Sequence, residues 1–520
     1  MRSFDSIFLF MNKKTVFLFI PFLLRTSCAK SEDVYSLSVG YIRSDRGLIR
    51  VNDSSIETLP PFNTSIEGRV YYYDGDYTKK QLYSLYNDFS YAFQYCHALS
   101  DRHYSYSQYD ESGNFVRTIE NVYSINQSYG TETPVKVDPF LYDLIKKSYS
   151  FSLASEGKFN RFLGTLNDIY EAKLKTLGAE VETSTDYRKN EVLFQTTGRR
   201  FSSFSATERN RISTITESLP KTKEERKDIL TFDDATSSVT FHKYKNVKKL
   251  EISLGGNAKG FATEYFADKV KTEYPNISRI INSGNSSVKA IGQRPDGREW
   301  KINYINPLSK ENYQDKYNNS EVVISKNGEF NLSTSGYYEQ YFYSYLPDEN
   351  GIYHPEEPFV RNSHIINPKT GYSCSYFDQI SVFLNDAGLA DRYTTALRNT
   401  ESLADAKALF ERLNLSYGIT DADLMLCRKS VKNSDGELYS YKMSDYSPLQ
   451  GNSLPVVETE NGRSYSGDFS DLNSLPKKYL STYHGSFEED YYRTSDRFKR
   501  AEISQEKLTK EVVSVLKELK

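Results

Sequence analysis

Apolar side chains at helical spacing mark four segments of the chain. In residues 78–98 they recur every three or four positions; the members are Leu82, Leu85, Tyr86, Phe89, Ala92 and Phe93. A second helix is predicted to begin at Asp138, with a proline in its first turn, and to end near Ser155. Residues 262–273 and 400–413 are also predicted to be helical.

Shorter apolar or alternating runs predict strands, which cover residues 70–73, 237–242 and 279–282. A hairpin is expected after them, in which a Pro-Asp-Gly turn at 295–297 joins strands 288–292 and 300–305. Helices and strands follow one another without a βαβ rhythm, and no repeat of 20–50 residues is found. The predicted fold class is therefore α+β, with mixed sheets and flanking helices.

Three polar regions interrupt the pattern. Residues 31–60 are predicted to be a tether in front of a domain that spans 61–425. Residues 183–235 are charged and poor in large apolar side chains, which indicates a long surface excursion or an inserted helical hairpin. Residues 426–520 form a C-terminal extension predicted to end in an amphipathic helix; its apolar stripe is Leu508, Val512, Val515, Leu516 and Leu519.

The first 30 residues have the pattern of a secretory signal. Lys13 and Lys14 precede a ten-residue apolar run, and Cys28 follows small residues. A cysteine in this position resembles a bacterial lipobox, although Arg25 stands where an aliphatic residue is usual. The expected location is the outer face of a bacterial cytoplasmic membrane, with a lipid anchor at Cys28. The alternative is a plain signal peptide with an incidental cysteine.

Length and charge restrict the classes of function. The chain has 520 residues, enough for two or three domains, and a formal net charge of −3. Nucleic-acid binding by charge would need a basic excess, so no nucleic-acid partner is expected. The four cysteines include no CxxC pair, which leaves no sequence support for a zinc site or a disulfide framework.

A Gly-Gly turn between a predicted strand and helix is the first candidate for chemistry. Ser253 starts the stretch Ser-Leu-Gly-Gly-Asn-Ala-Lys-Gly, which includes Gly256 and Lys259. Glycines allow a ligand to approach the backbone, and a helix N-terminus presents free N–H groups to an anion. Lys259 adds a positive charge at the same place, which suits a phosphate. By itself, the stretch is also compatible with an ordinary turn.

Three more stretches contain groups that could act at a ligand. Asp391 and Thr395 are four residues apart, so a helix would place them on one face, where a carboxylate and a hydroxyl suit Mg²⁺. The alternative is an ordinary surface aspartate near a helix start. His364 begins a run that closes in Asn-Pro and Thr-Gly pairs, and could contact a phosphate or transfer a proton. The hydroxyl-rich turn 333–336 could line a pocket.

Taken in order and spacing, these stretches resemble the ApbE family of FAD:protein FMN transferases. The shared landmarks are the loop 253–260, the strand end 283–285 with the 295–297 turn and Trp300, the turn 334–336, the loop 364–371 and the helix 390–395. Weaker landmarks upstream are 62–64, 123–126 and 155–160. The resemblance covers roughly residues 60–425. No single stretch is specific, whereas the ordered series is.

The resemblance implies an exported, Mg²⁺-dependent enzyme that splits FAD in a cleft between two halves of the domain. FMN would be transferred to a Thr or Ser hydroxyl of an acceptor protein, and AMP would leave. Family positions implied as catalytic are Lys259, His364 and Asp391. Those implied to hold Mg²⁺ are Gly256, Asp391, Thr394 and Thr395. Those implied to bind FAD are Phe62, Tyr104, Lys158, Phe159, Asn160, Ser253, Lys259, His364 and Ile365.

The chain departs from the family pattern at four positions. Ser253, Asn160 and Asn367 stand where the family has aspartates, and Ser283 replaces a glycine. Neutral side chains retain hydrogen-bonding capacity but lose charge. Two alternatives therefore stay open beside the transferase: a diverged, non-catalytic flavin-binding surface lipoprotein, and an enzyme that hydrolyses FAD to FMN and AMP.

Overall fold

The structure is a computed structural model that describes most of the chain from residue 32 to residue 428. The described residues are 32–183 except 74; 204–304 except 276 and 295; 322–326, 328–336 and 341–345; 359–428 except 375, 376, 378 and 402; and 442–448, 456–459 and 464–465. The predicted signal segment and the predicted final helix lie outside them. No helix in the described part is long and apolar enough to cross a lipid bilayer.

Nine helices and 22 strands lie within the described residues. The helices are α1 (Lys79–Ser100), α2 (Val122–Gln127), α3 (Pro139–Ala154), α4 (Gly164–Thr183), α5 (Ala206–Ser218), α6 (Lys223–Lys227), α7 (Ala258–Glu273), α8 (Ala387–Arg398) and α9 (Leu403–Tyr417). The strands are β1 (Glu32–Ser38), β2 (Ile42–Arg43), β3 (Ile49–Val51), β4 (Thr58–Leu59), β5 (Ile66–Tyr73), β6 (Tyr106–Tyr109), β7 (Phe115–Ile119), β8 (Val135–Lys136), β9 (Leu230–Asp233), β10 (Ser238–Phe241), β11 (Ser278–Ser283), β12 (Ser287–Ile291), β13 (Trp300–Tyr304), β14 (Val322–Lys326), β15 (Phe330–Gly336), β16 (Tyr341–Tyr345), β17 (Phe359–Ser363), β18 (Gln379–Phe383), β19 (Asp423–Arg428), β20 (Lys442–Pro448), β21 (Val456–Thr459) and β22 (Ser464–Tyr465).

An eight-stranded antiparallel sheet organises the molecule, in the order β1-β5-β11-β12-β15-β18-β19-β20. Four smaller sheets accompany it, in the orders β4-β2-β3-β6-β7, β8-β10-β9, β13-β14-β21-β22 and β16-β17. Helices and mainly antiparallel strands are thus combined without βαβ units in the described part of the chain, which confirms the predicted α+β class.

Helices pack on the central sheet through the apolar stripes that the sequence predicts. Phe89 and Phe93 of α1 meet Phe266 of α7 with ring centroids 4.9 and 6.2 Å apart, above Val70 and Ile281 of the sheet. A second cluster joins α8 and α9 to β18, and a third surrounds α3 and α4. Each fully buried Phe contributes on the order of 2–3 kcal/mol. The predicted helices at 78–98, 138–155 and 262–273 are confirmed within a few residues at either end.

The predicted polar tether at 31–60 is wrong. β1 pairs with β5 over its whole length and forms one edge of the central sheet. Leu37, Ile42 and Ile49 are buried in two different core clusters. The apolar residues of this segment are few, and strands of two or three residues, such as β2 and β3, are too short to show a period in the sequence.

The predicted hairpin over 288–305 is also wrong. β12 pairs with β11 on one side and β15 on the other, so neither edge is open to β13. β13 pairs instead with β14 in a separate sheet. The predicted bounds of β12 and β13 agree with the structure to within one residue. Local sequence does not specify, however, which sheet edge a strand pairs with.

Two of the segment assignments predicted from the sequence also differ from the structure. Within 183–235, residues 204–235 are not a surface excursion, because Ile212, Leu219 and Leu230 are buried and β9 belongs to a sheet; residues 184–203 lie outside the described part. The boundary at 425 falls inside β19, and β20 continues the central sheet beyond it.

Candidate active site

Helices α7 and α8 cross at a point where no side chain would fit. A Cβ added at Gly260 would lie 2.3 Å from the carbonyl oxygen of Ala387 and 2.7 Å from the Asp391 carboxylate. The missing side chain allows the Gly260 N–H to donate to Asp391 Oδ2 at 2.7 Å. The glycine of the loop and the aspartate of the helix, 131 residues apart in sequence, are therefore in direct contact.

The Gly-Gly turn meets α8 one helical turn further along. The Thr395 hydroxyl donates to the Gly256 carbonyl oxygen at 3.1 Å. A Cβ at Gly256 would come within 3.1–3.3 Å of Thr395 and Phe159, so any other residue there would require these side chains to shift by a few tenths of an ångström. The confirmed helical spacing of Asp391 and Thr395 brings a carboxylate, a hydroxyl and a carbonyl to one helix crossing.

Thr394 lies deeper in the same crossing. Its hydroxyl donates to the Asp391 backbone carbonyl at 3.0 Å and accepts from the Ser335 hydroxyl at 2.9 Å. Only about 1% of its surface is exposed, and it does not line the cleft. Its implied role in metal binding stays a prediction.

The Asp391 carboxylate is a buried charge without a contacting cation among the described residues. It is 4% exposed, and burial raises its pKa to about 6, against the opposing effects of the Lys259 charge and of hydrogen bonds from Ser333 and Gly260. Lys259, in the first turn of α7, lines the cleft, and its ammonium group makes no hydrogen bond or ion pair with the rest of the described chain. A positive and a negative group thus face the same cleft without neutralising each other in a contact pair.

The donor set fits Mg²⁺. Asp391, Thr395 and Gly256 offer only oxygen atoms, which is the ligand type that Mg²⁺ prefers. Burial destabilises the charged form of a carboxylate, and a bound divalent cation would stabilise that form. The residues present therefore suit the metal that the family resemblance implies.

The open cleft lies beside this crossing. Ser253, Gly256, Lys259, Asp391 and Thr395 line it on one side. Other predicted ligand-binding residues line it elsewhere, namely Phe62, Phe159, Asn160, His364 and Ile365. His364 is exposed at the start of the loop that follows β17. The prediction of a hydroxyl-rich turn at 333–336 is wrong, because these residues form the end of β15 and pair with β18; residues 334–336 nevertheless line the cleft.

The structure does not bring Tyr104 and Lys158 to the cleft wall. Tyr104 packs against the edge of a core cluster, in a loop whose backbone is held by Asn121 through the Tyr104 carbonyl. The Lys158 ammonium turns to Asp405 at 3.1 Å and to the Asn399 carbonyl at 3.2 Å. Lys158 does not line the cleft, because its ammonium group pairs with the Asp405 carboxylate on α9.

The neutral residues at family aspartate positions retain local hydrogen bonds. Asn160 Oδ1 accepts from the Phe162 N–H at 2.9 Å, and Asn367 Oδ1 accepts from the Lys369 N–H at 2.9 Å. Both are side-chain turns that an amide oxygen makes as well as a carboxylate. Ser253 Oγ accepts from Asn167 at 2.9 Å. The hydrogen bonds at these three positions are therefore made by neutral side chains, without the negative charge of an aspartate.

Sequence reasoning missed two parts of the cleft. One face of α4 lines it through Asn167, Tyr170, Glu171 and Leu174; their i, i+3, i+4, i+7 spacing was a signal that could have been used. Asn399, at the end of α8, also lines the cleft and donates to the carbonyls of Lys158 at 2.9 Å and Ile366 at 3.2 Å. Nothing local in the sequence indicates that connection.

Fold and site together define an α+β protein whose cleft combines a Gly-Gly helix start with a group of oxygen atoms that fits a metal ion. The family model described as the ApbE family matches residues 88–417, well over half of the chain. The chain therefore belongs to the ApbE family, and the resemblance inferred from its motifs is confirmed.

Three solved structures similar to this chain carry the ApbE name. The ApbE protein from Thermotoga maritima is 19% identical, with 76% of this chain and 94% of that chain covered and a TM-score of 0.47. The flavin transferase ApbE from Vibrio cholerae is 15% identical, with 86% and 100% covered and a TM-score of 0.48. The flavinyl transferase ApbE from Pseudomonas stutzeri, in its apo form, is 16% identical, with 76% and 93% covered and a TM-score of 0.43. Among curated proteins, none matches this chain.

Proposed function

We propose that this protein is a Mg²⁺-dependent FAD:protein FMN transferase, which attaches FMN through a phosphoester bond to a Thr or Ser of an acceptor protein and releases AMP. The observation that carries the proposal is the contact between the Gly-Gly loop and α8. Asp391 Oδ2 lies 2.7 Å from Gly260 N, and Thr395 Oγ1 lies 3.1 Å from the Gly256 carbonyl. This contact supports the proposal, because the candidate metal ligands and Lys259 line the same cleft, as cleavage of a diphosphate requires.

The diphosphate of FAD concentrates negative charge, which the site must offset as the bond breaks. Lys259 binds a phosphate oxygen from the first turn of α7, where its side chain lines the cleft. Asp391, Thr395 and Gly256, with Thr394 behind them, would hold Mg²⁺, which would supply positive charge to the diphosphate. Phe62, Phe159 and Ile365 provide apolar contact for the ring systems.

The transfer step exchanges one phosphorus–oxygen bond for another. The acceptor hydroxyl oxygen bonds to the phosphorus of the FMN half, and the bond from that phosphorus to the bridging oxygen breaks. AMP leaves with the bridging oxygen and its electron pair. The hydroxyl proton passes to the imidazole of His364, which is exposed in the cleft and can return it to solvent.

A direct test mixes the protein with FAD, Mg²⁺ and a recombinant flavin-acceptor domain. The expected result is covalent flavin fluorescence on a denaturing gel and a matching mass increase of the acceptor. An acceptor in which the target Thr is replaced by Val should stay unlabelled. AMP and free FMN formed without any acceptor would instead identify an FAD hydrolase, and bound but intact FAD would identify a non-catalytic flavin-binding protein.

The metal assignment is tested by a matched pair of variants on α8. Asp391→Asn removes the charged ligand, and the transfer rate should fall by about a hundredfold or more. Asp386→Asn makes the same change at the N-cap of α8, where the side chain accepts from the Leu389 N–H and an amide oxygen can do the same. It should transfer at the wild-type rate. Equal rates for wild type and Asp391→Asn would contradict the assignment.

We also propose that the protein is exported and anchored through a lipid at Cys28, because a basic, apolar and small-residue pattern precedes that cysteine. β1 begins at Glu32, so three residues separate the anchor from the central sheet. Three residues span at most about 10 Å, which would keep the domain next to the membrane surface. Cys28→Ser should move the protein from the membrane fraction to the soluble fraction, whereas Cys374→Ser should not.

A further inference from the structure

The turn that carries Phe62 has an unusual backbone. Phe62 and Asn63 have φ angles of 55° and 53°, in the left-handed region, and neither is a glycine. A bulky side chain is rare there, because its Cβ crowds the neighbouring carbonyl oxygen. Both residues line the cleft. Such a conformation persists only where surrounding structure holds it.

A buried histidine supports this turn from behind. His97, near the end of α1, accepts a hydrogen bond from the Phe62 N–H at its Nδ1 atom, over 3.0 Å. The two rings also pack edge to face, with centroids 5.3 Å apart. His97 is 8% exposed and does not line the cleft. It therefore acts on the cleft only through Phe62.

The partners of His97 fix its tautomer. Because Nδ1 accepts, the ring hydrogen is on Nε2, which faces the Tyr106 hydroxyl at 3.3 Å and the Asp101 carboxylate at 3.6 Å. The Tyr106 hydroxyl donates to Asp101, and Asp101 also accepts from the His103 N–H at 2.7 Å. Burial lowers the pKa of His97, which keeps Nδ1 available as an acceptor.

We propose that His97 is a positioning residue, which holds the Phe62 turn in the left-handed shape that forms one wall of the cleft. Without an acceptor at this point, the Phe62 N–H is left unpaired, and the turn relaxes towards an unstrained backbone. Phe62 and Asn63 then leave the positions in which they meet a ligand. The role of the turn in binding FAD rests on the proposed function; the restraint of the turn by His97 does not.

Amide hydrogen exchange tests the restraint without any ligand. His97→Leu keeps most of the side-chain volume but has no acceptor, and exchange in peptides covering residues 60–64 should be about tenfold faster or more. His97→Asn places an amide oxygen close to the position of Nδ1 and should retain protection. His242→Leu is a matched control, because His242 pairs with Glu132 and Thr231 away from this turn. Unchanged exchange in His97→Leu would overturn the proposal.

FAD binding by the full chain tests the consequence. In His97→Leu the Kd for FAD should rise about tenfold or more, while the transfer rate at saturating FAD changes less, because Asp391 and Lys259 are untouched. His97→Asn should restore most of the affinity, and His242→Leu should bind as wild type does. An unchanged Kd in His97→Leu would also overturn the positioning role.

The two measurements separate failure of this inference from failure of the proposed function. Wild-type protein that binds no FAD would disprove the flavin proposal, and the exchange experiment would still decide whether His97 holds the turn. Wild-type protein that binds FAD, together with a His97→Leu variant that exchanges and binds like wild type, would disprove only the role of His97.

Discussion

The two sides of the cleft are built in different ways. Around Asp391, α7 and α8 are in direct contact: a Cβ at Gly260 would lie 2.3 Å from a carbonyl oxygen, and one at Gly256 would lie 3.1–3.3 Å from two side chains. At the Phe62 turn, the α4 face and the loop after β17, side-chain hydrogen bonds from residues distant in sequence add to local backbone bonds and core packing. The helix crossing is thus restricted by steric contact, whereas the other segments are also connected by individual side-chain hydrogen bonds.

The chain keeps the family pattern at the helix crossing and departs from it at positions that make local hydrogen bonds. Asp391, Thr395, Lys259 and the two glycines all remain. The aspartate positions at 160, 253 and 367 all belong to hydrogen-bonded turns or pairs, where a neutral oxygen makes the same bond. Substitution is tolerated where a hydrogen bond is the main local requirement.

The largest expected effect comes from filling the helix crossing. Gly260→Ala places a methyl group 2.3 Å from the Ala387 carbonyl oxygen, so the two helices must separate. The free energy of unfolding should fall by about 2–4 kcal/mol. Gly255→Ala, in the same turn, meets nothing closer than 3.9 Å and should cost less than about 1 kcal/mol. Urea denaturation of both variants checks this pair, and equal losses would contradict the steric account.

The next effect concerns the side-chain hydrogen bonds outside the helix crossing. Asn399→Ala removes donors to the carbonyls of Lys158 and Ile366 and leaves both without those partners. The loss of stability should be about 1–3 kcal/mol, with weaker FAD binding. Asn414 is equally buried, but its side-chain atoms have no partner among the described residues. Asn414→Ala should therefore cost less than Asn399→Ala and leave FAD affinity unchanged, as calorimetry and fluorescence titration can show.

A smaller effect is expected from pH at His97. Burial lowers the pKa of this imidazole in the folded protein. Between the folded and unfolded pKa values, the unfolded chain is therefore protonated at His97 and the folded protein is not. Stability should fall as the pH drops below the unfolded pKa of about 6.5, by at most about 1.4 kcal/mol per pH unit. His97→Asn has nothing to titrate, and its stability should fall less between pH 7 and pH 5. Parallel curves for both proteins would contradict this account.

The smallest effect concerns the asparagine at 367. Its amide nitrogen lies 3.4 Å from the carboxylate of Glu401, where an aspartate would face a like charge. Asn367→Asp should cost roughly 0.5–1 kcal/mol at low salt and less at high salt, because Glu401 is exposed. Adding Glu401→Gln should restore stability. Thermal denaturation at two salt concentrations checks the prediction, and a cost unaffected by Glu401→Gln would exclude repulsion as its cause.

Much of the fold could be predicted from local pattern. The apolar stripe of α1 and the buried strand β11 were located because packing repeats along the element. The polar segment before β5 was misjudged, because strands of two or three residues carry no period to detect. The partner of β12 was misjudged for a different reason: strand pairing depends on which sheet edges remain open after the whole chain has folded.

By itself, the sequence identified the residues around Asp391 that line this cleft. Glycines, a lysine at a helix start, and a carboxylate with a hydroxyl four residues later can be recognised because each lies in a short, contiguous stretch. Only the tertiary structure decided the other segments of the cleft. There, His97 meets Phe62 and Asn399 meets Ile366 across 35 and 33 residues of chain, through bonds that no local spacing encodes.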